Sequence, residues 1–113
     1  MAYDVELFAG DSLDISCAVK DPGGAAVDLA GAEAVYSVSK SVKDIALITK
    51  SSTVSGEIDL TLGNMTVHLR SGDTQGVVPG SYYHEAQITL ADGRVGTPLT
   101  GKFKLKENLI APR

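Results

Sequence analysis

The strongest constraint in this sequence is the alternation of apolar and polar residues on both sides of one Asp-Gly turn at positions 92–93. Every second residue from Tyr82 to Leu90 falls on one largely apolar face, and apolar residues recur at odd positions from Val95 to Leu105. Successive side chains of a strand point to opposite faces, so the pattern predicts a β-hairpin with one face to cover. Because a lone hairpin is marginal in water, the rest of the chain must supply a second layer.

Further short alternating runs precede this hairpin, and turn-forming residues such as Asp21-Pro22-Gly23-Gly24 separate them. Residues 71–80 allow one helical turn at most, since glycines interrupt them. The predicted fold class is therefore all-β, an immunoglobulin-like antiparallel β-sandwich of about seven to eight strands. The earlier runs are 3–8, 13–19, 35–39, 45–50, 58–62 and 65–69.

The length of 113 residues predicts a single domain spanning 1–113, with a short N-terminal strand at 3–8 and a C-terminal tail at 107–113. The tail holds Leu109-Ile110, which have no partner in the pattern. We expect such an arm either to fray or to dock on a neighbouring copy. The N-terminus lacks a basic region followed by an apolar run, and no apolar stretch is long enough to cross a bilayer, so we expect no signal peptide and no membrane partner.

The net charge of −4 argues against a nucleic-acid partner, because such proteins usually carry a basic patch. The one local concentration of positive charge is Lys102, Lys104 and Lys106. These residues alternate, which predicts the solvated face of an edge strand blocked by lysine. Contact with a polyanion is the alternative interpretation.

Cys17 is the only cysteine, so no internal disulfide can form. It alternates with Leu13, Ile15 and Val19, which predicts a core position as a small hydrophobe. The alternative is a reactive thiol, which would require exposure and a lowered pKa.

Neither histidine lies in a metal-binding pattern. By strand parity His68 points outward and His84 lies on the apolar face, which predicts a partly buried histidine with a backbone partner or one near the sheet end. The pairs Asp11–Asp14 and Asp21–Asp28 invite a calcium interpretation, but the chain has no Asp-x-Asp-x-Asp-Gly run. We therefore predict carboxylates in turns and on solvated faces, and no metal ligands.

No catalytic pattern stands out either. The chain lacks Gly-x-Ser-x-Gly, a phosphate-binding glycine loop and a P-loop. Tyr82 follows Pro79-Gly80 and opens a strand, a placement typical of the structural tyrosine corner of Greek-key sandwiches. The sequence therefore predicts a non-enzymatic protein with no catalytic residues, no cofactor-binding residues and no cofactor.

The order of turn motifs resembles that of small β-sandwich domains in tailed-phage virion proteins, and in particular the baseplate upper protein N-terminal domain family. The resemblance spans about nine-tenths of the chain, and its motifs specify fold better than function. Ala30 stands where that family usually has Thr. The matching segments are Gly10-Asp11, Asp21-Pro22-Gly23-Gly24, Val27-Asp28-Leu29-Ala30-Gly31-Ala32, Pro79-Gly80-Ser81-Tyr82, Asp92-Gly93-Arg94 and Thr100-Gly101-Lys102-Phe103.

The resemblance implies a structural component of a bacteriophage or phage-like particle, made in the host cytoplasm and located in the virion. Its partners would be other virion proteins, with several copies or a homo-oligomer in a symmetric assembly. Tail or baseplate, neck and capsid surface all remain open as locations. The alternative function is a carbohydrate- or ligand-binding β-sandwich module, and a chaperone or adhesion role would rest on fold analogy alone.

The parity of the strands also predicts which residues form the core, since a slip of one residue would exchange the two faces. One predicted group packs between the sheets: Ile15, Tyr36, Leu60, Val67, Ile88 and Phe103. The other stays in solvent: Glu85, Gln87 and Lys104.

Overall fold

The computed structural model describes residues 3–41, 46–74 and 77–107. Within these ranges the chain forms eight strands and one helical turn, and the strands build two sheets around a shared core. The strands are β1 (Val5–Phe8), β2 (Leu13–Ala18), β3 (Glu33–Ser39), β4 (Ile48–Ser51), β5 (Ile58–Thr61), β6 (Asn64–Leu69), β7 (Gly80–Thr89) and β8 (Val95–Lys106), and the turn is α1 (Ser71–Thr74).

The strand order identifies the architecture. The large sheet runs β1-β8-β7-β3-β4 and the small sheet runs β2-β6-β5. In immunoglobulin labels, β2, β6 and β5 take the positions of strands B, E and D, while β8, β7 and β3 take those of G, F and C. The predicted immunoglobulin-like β-sandwich is therefore confirmed, as are the hairpins β5–β6 and β7–β8.

The first strand corrects two expectations. β1 pairs in parallel with β8, from Val5 opposite Phe103 to Phe8 opposite Lys106, so the sandwich is not wholly antiparallel. It also pairs with the C-terminal end of β8, from Phe103 to Lys106, so the prediction that the lysine-bearing strand is an edge strand is wrong, and β1 is the edge. Alternation in the sequence reports which face of a strand is buried, but it carries no information on which strand lies alongside.

A β-bulge in the β7–β8 hairpin corrects a third expectation. The register shifts between Ala86 and Ile88, and one extra residue in β8 reverses the parity of the strand upstream of it. Val95 is consequently 58% exposed, although Leu99 and Phe103 on the same predicted face are buried.

Several strand boundaries also differ from the prediction, and β1 spans Val5–Phe8 rather than 3–8. β4 begins at Ile48 rather than at position 45, and Ile45 lies outside the described residues. Leu62 was expected to continue the alternation of β5, but it lies in the turn to β6 and is 69% exposed. Residues 108–113 lie outside the described ranges, so the prediction for Leu109-Ile110 stays a prediction.

The core follows the predicted parity. All but one of the six predicted core residues are buried between the sheets, and Leu60 is partly buried against them. The three residues predicted to stay in solvent are exposed. The buried ones are Ile15, Tyr36, Val67, Ile88 and Phe103, and the exposed ones are Glu85, Gln87 and Lys104.

A buried polar pair lies at the centre of this core. His84 comes two residues after Tyr82, at the place where antibody domains carry the second cysteine of their inter-sheet disulfide. The backbone carbonyl of Tyr3 can only accept, so His84 Nε2–H donates to it, and Nδ1 accepts from the Tyr36 hydroxyl at 2.9 Å. Burial lowers the pKa of His84, which favours this neutral form. These hydrogen bonds connect β7 with β3 and with the N-terminal segment, all on the side of the large sheet, so they do not link the two sheets as the antibody disulfide does.

Cys17 faces this interior, as predicted. Its side chain is fully buried, and its thiol donates to the Pro98 carbonyl with Sγ and O 3.3 Å apart. Burial raises the pKa of the Cys17 thiol, which disfavours the reactive thiolate.

Tyr82 forms the predicted tyrosine corner, since its hydroxyl donates to the carbonyl of Val78 four residues upstream. We expect Tyr82→Phe to lower the free energy of unfolding by about 0.5–1.5 kcal/mol, the net contribution of a typical hydrogen bond, because the Val78 carbonyl loses its protein donor. Tyr83→Phe is the matched control. Its ring is 49% exposed, so the change should stay within about ±0.5 kcal/mol in urea melts. Equal losses of unfolding free energy for the two variants would show that the tyrosine corner does not stabilise the fold.

Candidate protein-interaction face

On the outer surface of the large sheet, side chains from neighbouring strands lie next to one another in rows. Register places Ser39, Tyr83 and Lys102 side by side across β3, β7 and β8. The next row holds Ser37, Glu85 and Thr100, and the one after it pairs Val35 with Gln87. We call this surface the Tyr83 face. It comprises Val35, Ser37, Ser39, Tyr83, Glu85, Gln87, Thr100 and Lys102.

The Tyr83 face combines two exposed apolar or aromatic side chains with small hydroxyl residues. Tyr83 is 49% exposed and Val35 is 46% exposed, although both lie in the middle of paired strands. Exposed tyrosine is enriched at interfaces and at their energetic hot spots. Small hydroxyl side chains around such an anchor lose little conformational entropy when a partner covers them.

A shallow groove of about 370 Å³ runs beside the tyrosine ring. It gives this surface a recess into which a partner could insert a side chain, and Tyr83 and Glu85 are among the described residues that line it. The lining residues are Ser37, Ser39, Ala46, Tyr83, His84, Glu85, Thr100 and Gly101.

At the margin of this face, two residues of β1 bind the side chain of Lys106. Lys106 forms an ion pair with Glu6 at 3.0 Å, and its ammonium lies 5.3 Å from the centre of the Phe8 ring. The same ion pair lowers the pKa of Glu6. Lys106 therefore helps to hold the edge strand. Of the three alternating lysines Lys102, Lys104 and Lys106, at least this one has a structural role in addition to its position on a solvated face.

The outer surface of the small sheet differs, because its polar side chains bind one another. His68 lies between Asp14 and Asp59, and the hydroxyls of Ser16 and Thr66 are 3.2 Å apart. A partner docking there would have to replace these hydrogen bonds, which makes this surface the less favourable one for binding.

The acidic pairs noted in the sequence do not come together as a cation site. Asp21 accepts hydrogen bonds from the backbone N–H groups of Gly23 and Ala25, and Asp28 accepts one from Ala30, so both shape turns. In the part of the chain that the structure describes, no group of three or more His, Cys, Asp or Glu side chains could hold a metal ion. Among the same residues, no helix is long and apolar enough to span a membrane.

The sequence pattern did not predict one partly buried ion pair. Lys50 on β4 points inward, is 5% exposed, and binds Asp73 of α1 with Nζ and Oδ2 2.7 Å apart. The same carboxylate oxygen accepts from the backbone N–H of Arg70. Parity alone places Lys50 on the same face as Ile48, but no local signal connects a lysine to an aspartate that lies so far along the chain.

A second concave region lies at the end of the sandwich formed by the β2–β3 and β7–β8 connections. It has a volume of about 390 Å³, and Val19, Val27 and Leu90 contribute to its apolar lining. Two cationic residues, Lys20 and Arg94, also line it, and Arg94 is tied to Asp92 at 2.8 Å. In variable immunoglobulin domains the corresponding loops carry binding specificity.

No family model matches the chain, and no curated protein does. Among solved structures, it is similar to the NK cell receptor Nkp44, with 18% identity, 96% of this chain and 99% of that chain covered, and a TM-score of 0.49. It is also similar to the second Ig domain of the mouse polymeric immunoglobulin receptor, with 15% identity, both chains fully covered and a TM-score of 0.45. CopC from Methylosinus trichosporium OB3b gives 13% identity, 79% and 74% coverage and a TM-score of 0.44. Similarity at this level carries no argument about function, and the assignment of the fold depends on the strand order.

Proposed function

We propose that the protein is a non-enzymatic, immunoglobulin-like interaction module that binds partner proteins through the Tyr83 face. The observation that carries this proposal is the half-exposed Tyr83 ring, set among small hydroxyl side chains beside a groove. An aromatic anchor of this kind supplies most of its binding energy when a partner covers it and excludes water.

The order of turn motifs supports a more specific role as a structural component of a bacteriophage or phage-like particle. In this role the partners are other virion proteins, and copies of the chain repeat around a symmetric assembly. The Tyr83 face then forms a permanent contact, which suits its regular, paired backbone better than a surface built from loops.

We expect Tyr83→Ala to reduce incorporation of the protein into purified particles, or its binding to the co-purified partner, by about tenfold or more. Leu62→Ala is the matched control, since Leu62 is exposed but lies in the β5–β6 turn, away from the Tyr83 face. Quantitative mass spectrometry of gradient-purified particles measures incorporation, and circular dichroism confirms that both variants fold.

Two results would contradict the proposal. Absence of the wild-type chain from mature particles would contradict the phage role, but it would not test whether the Tyr83 face binds a partner. Equal affinities of Tyr83→Ala and Leu62→Ala for a known partner would show that the Tyr83 face is not the binding surface.

The second candidate is a carbohydrate- or ligand-binding module, which the groove of about 390 Å³ at the loop end supports. A concave region with an apolar lining and two cationic residues is better suited to bind a small ligand than to bind an extended protein surface. Saturable binding on a glycan array, abolished by Leu90→Asp and unaffected by Tyr83→Ala, would favour this function over the first.

A further inference from the structure

Three ionisable side chains join all three strands of the small sheet on its outer surface. His68 lies on the central strand β6, directly opposite Asp14 of β2 in the strand register. Its Nδ1 is 2.8 Å from Asp14 Oδ1, and its Nε2 is 2.8 Å from Asp59 Oδ2 on β5. Both edge strands of this sheet are thus tied to the same imidazole ring.

The two hydrogen bonds require a protonated ring. An ionised carboxylate can only accept, so each ring nitrogen must carry a hydrogen to bind its aspartate. A neutral imidazole has one N–H, and its other nitrogen would place a lone pair against a carboxylate. The hydrogen bonds that the ring donates to Asp14 and Asp59 accordingly raise the pKa of His68 above its ordinary value.

The neighbouring charged groups do not compete for this ring. The backbone N–H of His68 donates to the Glu57 carbonyl, while the Glu57 carboxylate accepts from the backbone N–H of Ser51. The Arg70 guanidinium donates to the carbonyl of Gly56. Among the described residues that pack here, Asp14 and Asp59 are therefore the groups that bind the ring.

We propose that Asp14, His68 and Asp59 form a pH-dependent latch across the small sheet. The latch is closed on both sides while His68 is protonated, and one side opens when the ring loses its proton. Since β2 and β5 are the two edges of the sheet, opening loosens an edge whose backbone could pair with another strand.

The direction of the pH dependence follows from the raised pKa. A histidine whose pKa is higher in the folded than in the unfolded chain contributes stability that is fully present below its ordinary value of 6.5. That contribution disappears as the pH rises through the folded value. His84, whose pKa is lowered by burial, acts in the opposite direction, so the latch has to be measured as a difference between variants.

We expect urea midpoints measured from about pH 5 to about pH 9 to show this difference. The gap between wild type and His68→Gln should be largest on the acid side of the window and should shrink as the pH rises. His84 is present in both chains, so its contribution cancels. Asp28→Asn is the matched control, because it removes an exposed turn carboxylate that does not bind His68.

Nitrogen-15 NMR of the imidazole rings provides the second measurement and does not depend on unfolding. In the wild type and in Asp28→Asn, the His68 ring should titrate above 6.5, and Asp59→Asn should lower that midpoint. A His68 midpoint at or below 6.5, or a constant gap between wild type and His68→Gln across the window, would overturn the latch.

Discussion

Phe103→Ala is expected to lower the free energy of unfolding by about 3–5 kcal/mol. The ring is 1% exposed and lies on β8 between two strands, opposite Val5 of β1 and Tyr82 of β7. Its edge also contacts the His84 ring, with centroids 5.9 Å apart. Truncation therefore removes contacts to both neighbouring strands and to the buried histidine, and leaves a cavity that a paired backbone cannot collapse to fill.

Lys104→Ala is the control for this prediction, because Lys104 is the next residue and points to solvent. It should change stability by no more than about 0.5 kcal/mol. Denaturant melts with unchanged slopes measure both variants, and the loss for Phe103→Ala is a large share of the roughly 5–15 kcal/mol that stabilises a typical domain. Similar losses for the two would mean that β8 does not present one buried and one solvated face.

Gly101→Ala is expected to lower the free energy of unfolding by about 2–5 kcal/mol, by displacing the start of the chain. A Cβ at this position would lie 2.6 Å from the Tyr3 carbonyl carbon and 2.9 Å from the Tyr3 nitrogen. Both are backbone atoms, so no side-chain rotation can relieve the clash. The absence of a side chain at Gly101 is what lets the N-terminal segment cross β8 at this point.

Several interactions depend on that crossing. The Tyr3 N–H donates to the Thr100 carbonyl at 2.7 Å, and the Lys102 N–H donates to Asp4 Oδ1 at 2.9 Å. The Tyr3 carbonyl also accepts from His84 Nε2. Displacing Tyr3 would leave the buried N–H of His84 without its partner, so the cost includes an unsatisfied polar group as well as lost packing.

Gly96→Ala is the matched control on the same strand, because a Cβ there meets nothing within 4 Å. It should be neutral or stabilise slightly, through the reduced entropy of the unfolded chain. Amide hydrogen exchange identifies where the damage lies, and we expect faster exchange in β1 and around His84 for Gly101→Ala alone. Unchanged protection of β1 would show that the N-terminal segment does not depend on this approach.

The sequence alone determined which residues face inward and where most strands end. A strand has a period of two, so the alternation around Ile15, Tyr36 and Phe103 predicts burial without knowledge of the partner strand. Turn chemistry is equally local: it predicted the Asp-Gly hairpin and the corner at Tyr82, and it allowed one helical turn at most in residues 71–80. The alternation failed where an extra residue enters the pattern, at the bulge before Leu99, and where a strand gives way to a turn, at Leu62.

Only the tertiary structure decided which side chains meet. The latch residues Asp14, His68 and Asp59 come from three strands, and the Lys50–Asp73 pair joins a strand to a helical turn. The parallel placement of β1 on β8 likewise joins the two ends of the described chain. Contacts of this kind depend on how two sheets pack and on which edges are left to pair, and these are properties of the whole chain that no local pattern of residues encodes.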